Sequence, residues 1–258
     1  GGGINLKKSF WFLMAWTWKD GIAQLTTTKN SPHTLNLTAG YDKAHTAVPR
    51  IESTSTYRTL GAHISPSGNC KEASSLLRTK SVNYAATLIG SRLSRQQSLI
   101  SFLLYYQPQI GYSIPVLSLS EEECKYIQSP AIQALLPKLH VNRNISRAIV
   151  FGPSELGGLG LPHLYLHHGI PKLQLFLGHL RLQDKSGQLI MIGLSHMQLI
   201  VGIGQGYYNT NFVKYGIVTP PGWLTSVWEL SSKLALTYDI ENHWQPQLQR
   251  QNDSFIME

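Results

Sequence analysis

The chain has 258 residues, a net charge of +8, 42% hydrophobic residues and only 14% charged ones. A chain of this size buries a core without staples, and its two cysteines, Cys70 and Cys124, exclude a disulfide scaffold or a four-cysteine zinc module. No apolar run approaches the roughly 20 residues that a membrane-spanning helix needs. The start, Gly1-Gly2-Gly3, lacks both Met and a charged-then-apolar leader, and reads as a piece of a longer chain.

The opening third reads as strands and turns. Phe10 to Trp18 is dense in aromatics, which suit a pleated surface. The strip Trp11, Trp16 and Trp18 is expected to pack in a core, with base stacking as its other use. Asp20-Gly21 marks a hairpin turn, and Ile22 to Thr27 is its returning strand. Leu35-Asn36-Leu37-Thr38 alternates as a short strand that stops at Gly40. The remainder of Lys29 to Glu52 is expected to be loop-rich. Tyr57 to Ile64 is a further strand that runs into the turn Ser65-Pro66-Ser67-Gly68-Asn69.

From about Lys71 the period becomes helical. Leu77, Tyr84, Ala85 and Leu88 share one face. Ser94-Arg95-Gln96-Gln97 is a capping box. It opens a helix with Leu99, Phe102, Leu103 and Tyr106 on one stripe, which Pro108 is expected to end. Ser120 to Glu123 is a second capping box, whose acids suit the positive end of a helix dipole. The glycine-rich segment from Gly152 to Pro162 breaks the helices. Leu173, Phe176, Leu177 and Leu180 resume the stripe, and two more helices are expected over Gln188 to Val201 and Trp223 to Leu236. The layout is α+β: a β-rich start followed by an all-helical remainder.

Charge is concentrated in the middle. No Asp or Glu lies between Ala73 and Ser120, a stretch that holds Arg78, Lys80, Arg92 and Arg95. Lys125, Lys138, Arg143, Arg147, Lys172 and Arg181 follow the Glu121–Glu123 cluster, with Glu155 the one acid among them. This excess points to a polyanion partner. No self-contained active site accompanies it. There is no aspartate pair for a divalent metal, no Gly-x-Ser-x-Gly elbow and no phosphate-cradling Gly-x-x-x-x-Gly-Lys loop. His163, His167 and His168 stand at helical spacing but lack a nearby Cys or carboxylate, so they read as surface or packed histidines.

Several segments carry a resemblance. Gly2-Gly3-Ile4-Asn5-Leu6-Lys7-Lys8-Ser9-Phe10 resembles the segment that follows the catalytic strand pair in the palm of reverse transcriptases. Thr59-Leu60-Gly61-Ala62-His63-Ile64 resembles the next palm motif, the primer-grip hairpin, in the right order. Leu156-Gly157-Gly158-Leu159-Gly160-Leu161 is similar to a segment beyond the thumb of non-LTR-type retrotransposon polymerases. Phe10 to Gly21 and Leu248 to Met257 look like versions found in eukaryotic transposable elements.

The resemblance implies a short palm remnant over residues 1–72, a helical thumb over 73–150 and a helical post-thumb region over 151–258. It implies that Lys7 or Lys8, with Lys8 favoured, lies near the incoming triphosphate. It places Leu60, Gly61, Ala62 and His63 against the primer backbone, and Arg78, Lys80, Arg92 and Arg95 on template-primer phosphates. The partners implied are an RNA template, a DNA primer and the upstream palm and fingers half of the same polyprotein, with no membrane and with action in the nucleus. The family's metal-binding aspartates lie upstream of the matching segments. These 258 residues are therefore expected to bind no metal and to be inactive in isolation, with Mg expected for the complete enzyme. A non-enzymatic nucleic-acid-binding module from a decayed element, or a helical interaction scaffold, are the alternatives.

Overall fold

Turn chemistry sets the first hairpin. Asp20 and Gly21 both take positive φ, 52° and 77°, in the mirror-image turn whose twist matches paired strands. Strands β1 (Trp16–Lys19) and β2 (Ile22–Leu25) flank this turn, with Trp16 opposite Leu25. The computed structural model describes residues 9–39, 44–203 and 206–238, and the chain forms two compact units, Gly1–Ala73 and Ser74–Glu258. The fold is mixed and dominated by helix: 56% of residues are helical and 10% lie in short antiparallel strands, so it is α+β in general form.

The first unit adds hairpin β3–β4 (Leu35–Ala39 with Ala44–Val48) and hairpin β5–β6 (Tyr57–Thr59 with Ala62–Ile64). The piece from Lys29 to Glu52 therefore holds a full hairpin, whose first strand matches the one expected at Leu35 to Thr38 and whose second lies where loop was expected. Its second strand, Ala-His-Thr-Ala-Val, has a single large apolar residue, and so carries no readable alternation. Among the described residues the hairpins are three separate two-stranded sheets. Loop and strand ends are tied by Trp11, whose backbone N–H donates to the Pro49 carbonyl at 3.1 Å and whose ring lies under the Arg50 guanidinium. The aromatic strip does not pack as expected: Trp16 and Trp18 are 59% and 76% exposed. A two-stranded hairpin covers neither of its own faces, and no described strand of this unit pairs with β1–β2 to widen it.

The second unit is helical. Helix α1 (Lys71–Gly90) buries Leu77, Tyr84, Ala85 and Leu88, the stripe read from the sequence. Helix α2 (Arg95–Ser101) begins at the Ser94 capping box. It does not end at Pro108. It passes through a π-helical turn, Phe102–Tyr106, straight into α3 (Gln107–Gly111). The Gln107 N–H reaches back five residues to the Phe102 carbonyl. That wider turn makes room for a proline ring, which would clash with an ordinary α-turn and which supplies no N–H. The extra residue also shifts the phase, so Phe102 and Tyr106 are buried while Leu103, expected beside them, is exposed.

Helix α4 (Glu121–Lys138) starts at the Ser120 capping box and runs on through Pro130 and Pro137. Pro130 has no N–H for the carbonyl of Tyr126, one turn earlier, and the Arg78 guanidinium donates to that carbonyl instead. Short α5 (Arg147–Phe151) precedes α6 (Leu164–Leu182), which packs against α4, α7 (Lys185–Val201) and α9 (Trp223–Lys233). Between the last two lies α8 (Phe212–Tyr215). Phe176 of the expected α6 stripe is buried, whereas Leu177 is exposed. Helix α9 stops at Lys233, before the expected Leu236, and Leu234 is exposed. Among the described residues no helix is long and apolar enough to cross a membrane.

Candidate nucleic-acid interface

Within the first unit, Leu60 and Gly61 form the two-residue turn of β5–β6, with φ of 48° and 92°. Leucine rarely adopts positive φ, because its Cβ crowds the backbone there. Leu60 is 89% exposed, so no packing interaction holds it in that conformation. A strained, exposed apolar residue at a hairpin tip is a feature found at binding sites. Ala62 is buried, His63 is half-buried, and Arg58, which no motif in the sequence singles out, is the cross-strand partner of His63. Lys7 and Lys8 lie outside the described residues.

Within the helical unit the four basic candidates do not form one cluster. Arg78 is committed to structure, with its guanidinium 4.2 Å from the centre of the Tyr126 ring and donating to the Tyr126 carbonyl. Lys80 instead faces a groove of about 270 Å³ between α1 and the α2–α3 helix, lined also by Asn83, Thr87, Ser91, Tyr105 and Gln109. Arg92 lies between Ser91 and Leu93, which both line the groove, and Arg95 opens α2; both arginines are exposed. Two hydrogen bonds hold the groove walls together: Ser81 with the Tyr106 hydroxyl at 3.0 Å, and Tyr84 with the Ser101 hydroxyl at 3.3 Å. Burial pushes the Tyr106 phenol up to about 12, so that hydroxyl stays neutral. The Lys138 ammonium donates to the Ser91 carbonyl at 2.7 Å and fixes the end of α1 beside Arg92.

The polar lining of this groove was hidden in the sequence. Asn83 and Thr87 fall off the apolar stripe without any motif. Tyr105, 61% exposed, faces the groove in a phase set by the π turn.

The Gly157-Gly158-Leu159-Gly160-Leu161 segment has a local structural role. Leu159, Gly160 and Leu161 donate to the carbonyls of Ile149, Gly152 and Val150 at 2.8, 2.9 and 3.1 Å, closing the C-terminal end of α5. Gly158 lies so close to the Gly152 backbone that a Cβ would overlap its carbonyl.

The three histidines are structural neighbours of different kinds. His167 is exposed. His163 is half-buried against Phe151, and burial lowers its pKa. His168 packs over Gly111, where any Cβ would strike its ring, and its Nε2 is 3.3 Å from the Gln107 side-chain oxygen. Burial, with a smaller contribution from His167, pushes its pKa down to about 4. The folded state thus keeps His168 neutral, while the unfolded chain protonates it near pH 6.5. Between about pH 6.5 and 4 the unfolded state binds more protons, so stability falls as the pH falls through that window. After allowance for the ring's partial exposure, the expected loss is about 1–2 kcal/mol. Thermal melts at pH 7.5 and 5.0 check it: His168→Gln is expected to lower the stability difference between the two, and an unchanged difference would show that the ring is solvated. Among the described residues, no group of three His, Cys, Asp or Glu side chains is placed to hold a metal ion.

Comparison with protein-family models, with curated proteins and with solved structures finds no match to this chain.

Proposed function

We propose that the chain is the C-terminal palm-and-thumb portion of a retroelement RNA-directed DNA polymerase, which holds template and primer for an upstream catalytic half. The observation that carries this reading is the order of the two palm-like segments, Gly2 to Phe10 and Thr59 to Ile64, ahead of a basic stretch without a single acid. In it, residues 1–72 end the palm, 73–150 form the thumb and 151–258 continue beyond it. The exposed Leu60 at the hairpin tip supports contact with the primer, and Lys80 in the α1–α2 groove, with exposed Arg92 and Arg95 just before and at the start of α2, supports a grip on phosphates. Such contacts position a duplex by its shape and backbone and read no sequence. Lys7 and Lys8 are assigned to the triphosphate side, and the Mg ions belong with aspartates on the upstream half.

Binding of an RNA–DNA hybrid across a salt series tests the grip. The affinity is expected to fall steeply with salt. Replacing Lys80, Arg92 and Arg95 together by alanine is expected to lower the log–log slope by about 2–3, close to one for each phosphate no longer neutralised. The reading frame upstream of Gly1 is expected to encode an aromatic-x-Asp-Asp turn. A frame without it leaves a binding module. Binding without salt dependence favours the scaffold alternative, to which exposed Ile100, Leu103 and Leu104 along α2 and its π turn would then belong.

A further inference from the structure

A second groove opens on the helical unit between α4, α5 and the start of α6. Its volume is about 660 Å³, in the range of sites for small organic ligands. It shares no lining residue with the α1–α2 groove. Its walls are largely apolar: Tyr126, 58% exposed, with Ile132, Phe151 and Leu166. The His163 ring stands edge-on to Phe151, with centroids 4.8 Å apart and planes at 88°. His163 Nδ1 is buried with no hydrogen-bond partner among the described residues. An unpaired buried ring nitrogen is a costly feature that a ligand group could relieve.

The charges around the groove are not equivalent. Arg78 is occupied by Tyr126. Lys125 bridges Glu121 and Glu122 at 2.9 and 3.0 Å, and Lys233 adds a second contact to Glu121 at 2.9 Å. Those lysines hold the Glu121 carboxyl down at about 2, so it stays paired and ionised. Arg147, exposed in the first turn of α5, makes no hydrogen bond or ion pair among the described residues. The groove therefore combines one uncommitted cation, two aromatic walls and the ring of His163, whose Nδ1 is unpaired among the described residues.

We propose that this groove binds a single unpaired nucleotide, with the base against Tyr126 and Phe151, its edge towards His163 and its phosphate on Arg147. A bare anion would leave the apolar walls unused. A purely aliphatic ligand would leave His163 unpaired and Arg147 unanswered. A nucleobase supplies a flat face for stacking and a polar edge, and stacking of this kind tolerates any base. The inference rests on the helical unit alone and stands whether or not the chain is part of a polymerase.

Titration of the full chain with AMP or UMP tests it, followed by NMR of the His163 and Tyr126 rings. Saturable shifts are expected below about 1 mM, with adenosine and inorganic phosphate each about tenfold weaker. Arg147→Gln is expected to weaken AMP about tenfold and leave adenosine unchanged. Ala148→Trp, at an exposed position in the lining, is expected to fill the groove and abolish the shifts. Shifts that persist in Ala148→Trp, or AMP binding that Arg147→Gln leaves intact, overturn the proposal. Inorganic phosphate binding as tightly as AMP reduces the site to an anion contact and overturns base recognition. A Phe-containing acidic peptide that shifts these rings, where nucleotides do not, makes the groove a peptide site and overturns it too. None of these readouts depends on Lys80, Arg92 or Arg95, so failure here and failure of the hybrid grip are separable.

Discussion

Gln128→Leu is expected to destabilise the helical unit by about 2–6 kcal/mol, although leucine nearly matches glutamine in volume. Gln128 is almost wholly buried on α4 and acts as a clasp. Its amide nitrogen donates to the Pro162 carbonyl at 2.7 Å, and its oxygen accepts from the Leu164 N–H at 3.0 Å. Leu164 is the first residue of α6, so that N–H is one of the donors a helix start leaves without a partner inside the helix. His163, at the N-cap position, makes no side-chain cap. The cap comes instead from another helix. Leucine would leave both backbone groups unpaired, each at about 1–3 kcal/mol. A denaturant titration reads this as a lower midpoint with an unchanged slope. A midpoint equal to that of the parent would mean that water replaces the clasp. The same variant is expected to disturb the His163 ring resonances, because Gln128 and His163 both line the α4–α5–α6 groove.

Trp228→Ala is expected to cost about 3–5 kcal/mol. Trp228 is the largest fully buried side chain among the described residues, and joins Phe176 of α6, Leu194, Met197 and Val201 of α7, and Tyr208 in one core cluster. Its indole N–H donates to the Thr210 carbonyl at 3.0 Å, and the Phe212 ring meets it edge-on at 5.1 Å. Alanine would open a cavity at the junction of three helices and leave that carbonyl without its indole donor. Trp228→Phe keeps most of the packing and is expected to cost less, about 1–3 kcal/mol, chiefly the hydrogen bond and a smaller void. Melting curves of both variants check the order. Alanine no worse than phenylalanine would show that the site collapses without a cavity.

Local chemistry was legible in the residues because it is decided within four or five positions. Ser94 with Gln97 and Ser120 with Glu123 form reciprocal caps at both predicted helix starts. Asp20-Gly21 turns as its dipeptide requires. The stripe Leu77, Tyr84, Ala85 and Leu88 is buried because nothing interrupts the period of α1. Pro108 misled for a local reason with a non-local solution. The rule that proline ends a helix assumes an ordinary α-turn before it, and one π turn removes the clash while moving Leu103 outward and Tyr105 to the groove.

The β-rich start ahead of a helical remainder, the caps that start α2 and α4, the apolar face of α1 and a basic, acid-free stretch all follow from the residues alone. The use of each basic or polar side chain follows only from the assembled fold. Arg78 looked like its neighbour Lys80, yet Pro130, fifty-two positions later, leaves a carbonyl that Arg78 answers. Gln128 had no motif, yet it caps a helix that begins thirty-six residues on. The physical reason is that hydrogen-bond demand is set by which backbone groups folding leaves buried and unpaired. Those groups, and the two grooves between helices, exist only once distant segments have met.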